Sequence, residues 1–186
     1  MRGGAEASIR LLERALPLLE RFTGTPFPGT TIRLWYGFKI GNSGGGGQLF
    51  MEDRRTYEER TAASRLPHDA ILIHELAHSY ISNESLTQFL EMYGYNNLLI
   101  GSTDLASWTF TRDYAPFAPD NKDSAALLDV YQLIGHDAMS RAYKAVIPLR
   151  PPYGEPLSPA ARGVFVSEAP AAVAEQVAER IARITF

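Results

Sequence analysis

Residues 70–80 decide the fold, and they read AILIHELAHSY. Apolar residues lie on every side of a helix drawn through this stretch, and a helix that is apolar on all sides belongs in a hydrophobic core. Ser64 or Asp69 is a suitable N-cap, and Pro67 fits the first turn. The sequence therefore predicts a buried helix over residues 69–80, around which the other elements pack.

This predicted helix carries the pattern His-Glu-x-x-His. His74 and His78 lie one turn apart on one helix face, where both imidazoles can reach one ion. Zinc takes nitrogen ligands of this kind, and a catalytic zinc keeps one coordination position for water. Glu75 projects beside the pair, where its carboxylate can accept a proton from that water. The pattern predicts a zinc site, because these groups are otherwise costly to bury in an apolar core.

A third protein ligand is expected, and the composition narrows its identity. The chain has no cysteine, so thiolate ligands are excluded. His68 precedes the motif and cannot easily fold back, while His136 is better explained as a capping or surface histidine. Glu84 is favoured, because it stands in the first turn of the next predicted helix, where the helix dipole stabilises a negative charge. Glu91 on the same stripe is the alternative, as a ligand or as a partner of one.

The remaining pattern predicts a mixed α+β domain. Residues 30–38 are β-branched and aromatic and predict a strand, and residues 48–53 predict a second. Between them the glycine-rich stretch GNSGGGG, residues 41–47, is expected to be a flexible flap beside the site. A parallel α/β sheet is not expected, because strands and helices do not alternate throughout. Further helices are expected at residues 5–22, 83–93, 125–134, 137–146 and 169–184, with a break at Gly135 and a proline-rich loop at residues 150–159.

Length and composition place bounds on organisation and partners. The 186 residues fit one domain, in which residues 150–186 form a C-terminal loop and closing helix. The net charge of −3 argues against a nucleic-acid surface. No apolar window is long enough for a transmembrane segment. Charged residues interrupt the first predicted helix, so a signal peptide is not expected, and the compartment and oligomeric state stay open.

The order of these motifs resembles that of the gluzincin zinc metallopeptidases, nearest the aminopeptidase N family with its leukotriene hydrolase-like members. HELAH at residues 74–78 is followed by NESLTQFLE at residues 83–91, which is similar to the family's second zinc-binding helix. Met51-Glu52 upstream is similar to the Met-Glu pair of the family's GxMEN strand. The resemblance covers roughly residues 5–147. It implies a thermolysin-like catalytic domain, in which a small sheet is followed by a helical zinc-binding half.

The resemblance also implies roles for single residues. It assigns the zinc to His74, His78 and Glu84. It makes Glu75 the general base. It gives Glu52 the task of binding the free amino group of a peptide, with a surface charge on an edge strand as the alternative.

Two features depart from the family pattern. The gap between His78 and Glu84 is only five residues, a spacing that metzincins also use, but they have a glycine at the turn where this chain has Ile81. The family's transition-state tyrosine would align near residues 120–123, which read DNKD. Tyr114 is the nearest substitute for the residue that stabilises the oxyanion, with an ordinary packed loop tyrosine as the alternative.

The sequence thus predicts a zinc-dependent peptidase. The first expectation is an aminopeptidase that hydrolyses N-terminal peptide bonds through a zinc-bound water activated by Glu75. The alternatives are a zinc endopeptidase with a shortened ligand loop, and a catalytically impaired binding module that contains the metal. The length suits either a stripped-down peptidase or the catalytic piece of a longer protein.

Overall fold

The chain forms an α+β domain, as predicted. The computed structural model describes residues 2–38, 42–53, 68–100 and 121–185. The helices and strands within these ranges are α1 (Arg2–Thr23), β1 (Arg33–Phe38), β2 (Ser43–Gly45), β3 (Gln48–Glu52), α2 (His68–Ala77), α3 (Glu84–Tyr95), α4 (Asn121–Val146), α5 (Pro159–Ser167) and α6 (Ala174–Ala182). A π-helical turn follows α3 at Asn96–Ile100, and a 3-10 turn follows α4 at Ile147–Leu149.

Helix α2 lies in the core, which confirms the prediction for its apolar sequence. Leu72, Ile73 and Leu76 are completely buried. Helices α1 and α3 and the sheet all pack against it. The helix is shorter than predicted and ends at Ala77, but the N–H of His78 still donates to the carbonyl of His74 at 3.1 Å. Both motif histidines therefore keep helical spacing.

The sheet is mixed and has the strand order β1-β3-β2. Strand β3 pairs with β1 in parallel and with β2 in antiparallel orientation. The prediction of a flexible flap at residues 41–47 is wrong where the structure describes it, because residues 43–45 form β2. A Cβ atom on Gly44 would overlap the carbonyl oxygen of Glu75, so only glycine lets this strand lie on α2. Gly46 and Gly47 form the following turn, with positive φ angles of 56° and 77°.

The C-terminal helices differ from the predicted ones in their bounds. The break at Gly135 is confirmed, since this residue has φ 81° and ψ 174° within α4. Helix α5 was not predicted, although Ser158 caps it through the N–H of Ala161 and Pro159 occupies its first turn. The closing helix begins at Ala174 rather than at residue 169.

Helix α3 runs to Tyr95, past residue 93, where the sequence predicted its end. Gly94 lies inside the helix, and a Cβ atom there would come within 2.7 Å of the Ile73 side chain. The glycine thus allows α2 and α3 to approach closely, and this contact sets the spacing of the two helices that carry the predicted ligands. In the part of the chain that the structure describes, no helix is both long and apolar enough to cross a membrane.

Candidate metal centre

The two motif histidines of α2 converge on one point. The Nε2 atoms of His74 and His78 are 3.0 Å apart, and their ring planes meet at 83°. Such an edge-to-face pair directs one nitrogen of each ring to the same small volume. Helical spacing makes this arrangement possible, because side chains four residues apart lie above one another.

Glu84 completes a cluster of three groups. Its Oε1 atom lies 3.3 Å from Nε2 of His74, and its Oε2 atom lies 3.3 Å from Nε2 of His78. The short connection between α2 and α3 makes this possible without a glycine, because Ile81 closes a helical turn by donating its N–H to the carbonyl of Ala77 at 3.2 Å. The side chain of Asn83 then caps α3 and places Glu84 in the first turn.

The three groups fit the ligand set of a tetrahedral metal ion. They are grouped closely enough to hold one cation. Nitrogen and oxygen ligands at about 2.0–2.2 Å from zinc stand roughly 3.3 Å from one another in a tetrahedral shell. The separations of 3.0, 3.3 and 3.3 Å are close to this value, with the two distances to Glu84 ending on different oxygens of its carboxylate. His74, His78 and Glu84, the three residues expected from the sequence, therefore form a cluster that could hold a metal ion.

Glu91 lies behind the cluster as the partner of a histidine. Nδ1–H of His74 donates to Oε2 of Glu91 at 2.8 Å, and the Glu91 carboxylate is 1% exposed. This bond fixes the orientation of the ring and leaves Nε2 of His74 to face the metal position. Of the two roles considered for Glu91, its geometry supports that of a partner.

Hydrogen bonds through the Thr87 hydroxyl to the Ile81 carbonyl orient the His78 ring so that its Nε2 also faces the cluster. The Thr87 hydroxyl donates to the carbonyl of Ile81 at 3.0 Å, so it has no second proton to give. Nδ1–H of His78 must therefore donate to Thr87 Oγ1 at 3.2 Å, which leaves Nε2 of His78 as the metal-facing atom.

Two further side chains hold the Glu84 carboxylate. The Gln88 amide donates to Oε1 of Glu84 at 3.2 Å, and the Ser124 hydroxyl donates to the Gln88 amide oxygen at 2.7 Å. Ser124 belongs to α4, so this pair links the ligand to a third helix. No role was expected for Thr87, Gln88 or Ser124 from the sequence, although Thr87 and Gln88 follow Glu84 at helical spacing.

The charges of the cluster are strongly coupled. Burial by itself lowers the pKa of His74, but hydrogen bonds and the negative charges of Glu84 and Glu91 outweigh it and raise this pKa to about 10. Burial opposes ionisation of Glu84, but hydrogen bonds and charge from both histidines hold its pKa well below its usual range. Without a metal, an imidazolium at His74 supplies the positive charge that the carboxylates favour. A divalent cation would take the place of that proton.

Glu75 stands beside the cluster at the floor of a cleft of about 430 Å³. Burial raises the pKa of its carboxyl group to about 7, against the opposing charge of His74 and His78. A carboxylate with a pKa near neutrality can both accept and release a proton. The cleft is lined by Asn42, Ser43, Gly44, Gly45, Gly46, Glu75, His78, Ser82 and Tyr153.

Glu52 does not lie in the described wall of this cleft. It ends β3, the central strand of the sheet, and is 1% exposed, so it is not a surface charge on an edge strand. Its backbone N–H donates to Oδ1 of Asn42 at 2.7 Å, and Asn42 lines the cleft. Glu52 is thus linked to the cleft through Asn42. Tyr114 lies outside the described residues.

The two remaining histidines are occupied elsewhere, as the sequence indicated. Nε2 of His68 hydrogen-bonds the carbonyl of Glu52 at 3.1 Å. His136 lies 3.2 Å from the Tyr131 hydroxyl through Nδ1, and its ring packs edge-on against Phe22. Neither side chain belongs to the metal-binding cluster.

Comparison with protein-family models, with curated proteins and with solved structures finds no match to this chain.

Proposed function

We propose that this protein is a zinc-dependent peptidase of the gluzincin type. The observation that carries the proposal is the triangle of His74 Nε2, His78 Nε2 and the Glu84 carboxylate, with Glu75 beside it at the floor of a cleft. A structural zinc site is closed by four protein ligands, whereas a catalytic site has three and keeps one position open. Three ligands and a neighbouring carboxylate favour the catalytic kind.

Metal binding, support of the ligands and proton transfer would each be carried out by different residues of the site. Bound zinc would supply a Lewis acid that polarises a carbonyl group and makes water acidic near neutral pH. His74, His78 and Glu84 would hold it, and Glu91, Thr87 and Gln88 keep those ligands in place. Glu75 accepts the proton of the attacking water and delivers it to the amine nitrogen that leaves.

The form of the cleft supports a peptide as the substrate. Strand β2 borders the cleft and is an edge strand among the described residues, so its outer backbone groups can pair with an extended chain. The glycines at positions 44–46 keep this edge free of bulky side chains. An extended peptide beside β2 would pass next to Glu75.

We propose aminopeptidase action first and keep endopeptidase action as the second candidate. Exopeptidase action needs a group that binds the free amine, and Glu52 is the residue that the sequence resemblance offers. Glu52 is buried outside the described cleft wall, and this observation keeps endopeptidase action as the second candidate. Peptides that differ only in a blocked or free amino group separate the two.

The test compares the zinc-loaded protein with Glu75→Gln on aminoacyl fluorogenic substrates and on internally quenched peptides. Loss of a general base costs about 10²–10⁴-fold in rate, so we expect Glu75→Gln to lose activity by that factor while it retains zinc. Cleavage restricted to free-amine substrates supports the aminopeptidase, and cleavage of blocked peptides supports the endopeptidase. Bound zinc with no turnover on either set would contradict both and favour a binding module.

A further inference from the structure

A loop from the far end of the chain forms one wall of the cleft. Residues 150–157, the strap, connect the 3-10 turn after α4 with α5. Pro151 and Leu157 are buried at its two ends, and residues 152–156 between them are exposed. The strap is thus anchored on both sides of its exposed tip.

One buried side chain holds the tip in place. Nδ2 of Asn83 donates to the carbonyls of Pro152 and Glu155 at 3.3 and 3.0 Å. Oδ1 of the same residue caps α3 by accepting from the N–H of Leu86 at 3.3 Å. Asn83 is completely buried and directly precedes Glu84. The residue that starts the ligand-bearing helix therefore also sets the distance between the strap and the metal-binding cluster.

Tyr153 stands at this tip, beside the cluster. Its ring centroid lies 6.0 Å from that of His78, and the residue lines the cleft together with Glu75. Gly154 follows with a φ of 67°, which gives the tight turn that presents the tyrosine. Tyr153 is 68% exposed even though the loop that carries it is pinned. A largely exposed aromatic ring on an anchored loop can bury apolar area on a ligand.

The rest of the cleft wall is small or polar. Across from the strap, β2 and its turn contribute Ser43 and the glycines at positions 44–46. Among the described residues that line the cleft, Tyr153 alone has a large apolar surface. The glycine side leaves room for a bulky group, and the tyrosine side provides the surface for it to pack on.

We propose that Tyr153 is a substrate-binding residue whose ring selects a large apolar side chain next to the bond that is cleaved. The inference rests on the proposed peptidase function and deepens it. The contact uses the ring and not the hydroxyl, so phenylalanine is expected to replace Tyr153 in this role.

The test measures the affinity of the zinc-loaded protein for two chelating probes, phenylalanine hydroxamate and glycine hydroxamate. The two probes share the metal-binding group and differ only in the side chain. We expect the wild type to prefer the phenylalanine probe by about tenfold, equivalent to about 1.4 kcal/mol. Tyr153→Ala should reduce this preference to about one, while Tyr153→Phe keeps it and affinity for the glycine probe stays unchanged in both.

The controls separate failure of this inference from failure of the proposed function. Trp35→Ala removes another half-exposed aromatic ring on β1 and should leave the preference unchanged. If Tyr153→Ala keeps the preference, or if Tyr153→Phe loses it, the ring does not select the side chain and the inference fails alone. If neither probe binds the zinc-loaded wild type, the proposed metallopeptidase site fails and the inference falls with it.

Discussion

The surroundings of His74 and His78 differ, although the two residues are one turn apart on one helix. Nδ1–H of His74 donates to a buried carboxylate, that of Glu91, at 2.8 Å. Nδ1–H of His78 donates to a hydroxyl, that of Thr87, at 3.2 Å, and this hydroxyl passes its own proton to the carbonyl of Ile81. Both arrangements direct Nε2 towards Glu84. One of them adds a full negative charge behind the ring, and the other adds none.

Because their hydrogen-bond partners differ in charge, His74 and His78 are expected to contribute differently to metal binding. Burial lowers the pKa of His74, but hydrogen bonds and negative charge from Glu84 and Glu91 outweigh it, and Glu91 is the group that adds its charge behind the ring. The chain through Thr87 fixes the orientation of His78 without that charge. We therefore expect the His74 side to control the strength and pH dependence of metal binding, and the His78 side to contribute mainly geometry.

The largest expected effect comes from removing the charged partner. Glu91→Ala leaves the buried Nδ1–H of His74 without its acceptor, and loss of such a partner costs about 10–100-fold in metal affinity. We expect the upper end of this range, because the bond is short and almost completely buried. Competition with a chromophoric chelator measures the zinc affinity. Glu91→Gln, which keeps an acceptor oxygen and loses the charge, should weaken binding less, and an unchanged affinity in Glu91→Ala would contradict the account.

The pH dependence of zinc binding should follow His74. Because its pKa is raised to about 10, His74 is protonated at pH 8 before zinc binds, and zinc must displace that proton. Zinc affinity should therefore rise with pH until the pH reaches that pKa, by up to roughly tenfold per unit. At pH 8 the carboxyl group of Glu75, with its pKa of about 7, is already mostly ionised, so it adds little to the number of protons released when zinc binds.

Calorimetry in buffers of different ionisation enthalpy counts the protons released, and we expect about one at pH 8. Glu91→Ala should release fewer, because His74 loses one of the groups that raise its pKa. Thr87→Val should release the same number as the wild type. Equal proton release in all three proteins would remove the distinction between the two histidines.

A smaller effect is expected on the His78 side. Thr87→Val keeps the shape of the side chain but removes the hydroxyl that accepts from His78, and we expect zinc affinity to fall by about tenfold, the lower end of the range for such partners. Thr87→Ser keeps the hydroxyl and is the matched control, with an expected change of less than about threefold. A loss in Thr87→Val that equals that of Glu91→Ala would show that the charge of Glu91 has no special part.

The smallest effect is expected at the third ligand. Gln88→Leu removes the amide that donates to Glu84 Oε1 at 3.2 Å, but the Asn83 cap still places Glu84 in the first turn of α3. We expect a loss of about threefold in zinc affinity, below the usual range for ligand partners. Ser124→Ala removes only the outer support and should change affinity less than Gln88→Leu does. The reverse order would mean that α4 positions Glu84 by another route.

The sequence predicted those parts of the site that depend on local spacing. His74 and His78 follow from helical periodicity, and Glu84 follows from its place in the first turn after a short connection. Glu91, which was considered as a ligand or a partner, lies two turns further along the same helix face. These relations involve neighbours along the chain, so the pattern carries them directly.

The parts that the sequence did not predict depend on contacts between distant segments. The glycines at positions 44–47 predicted a flexible flap, because the need for glycine arises only where β2 meets the carbonyl of Glu75. The place of Tyr153 in the cleft could not be predicted from the sequence. Asn83 holds the strap at the cleft through two backbone carbonyls, which every sequence has. The role of Glu52 comes from a likeness to a family motif and stays a prediction, since its side chain is 1% exposed and lies outside the described cleft wall.

The central claim is that His74, His78 and Glu84 bind one metal ion. The most direct test is anomalous diffraction at the zinc edge from crystals of the zinc-loaded protein. We predict one strong anomalous peak for zinc at about 2.0–2.2 Å from Nε2 of both histidines and from the Glu84 carboxylate, with Glu91 bonded only to His74. A peak at any other place, or a zinc ligated by Glu91 in place of Glu84, would contradict it.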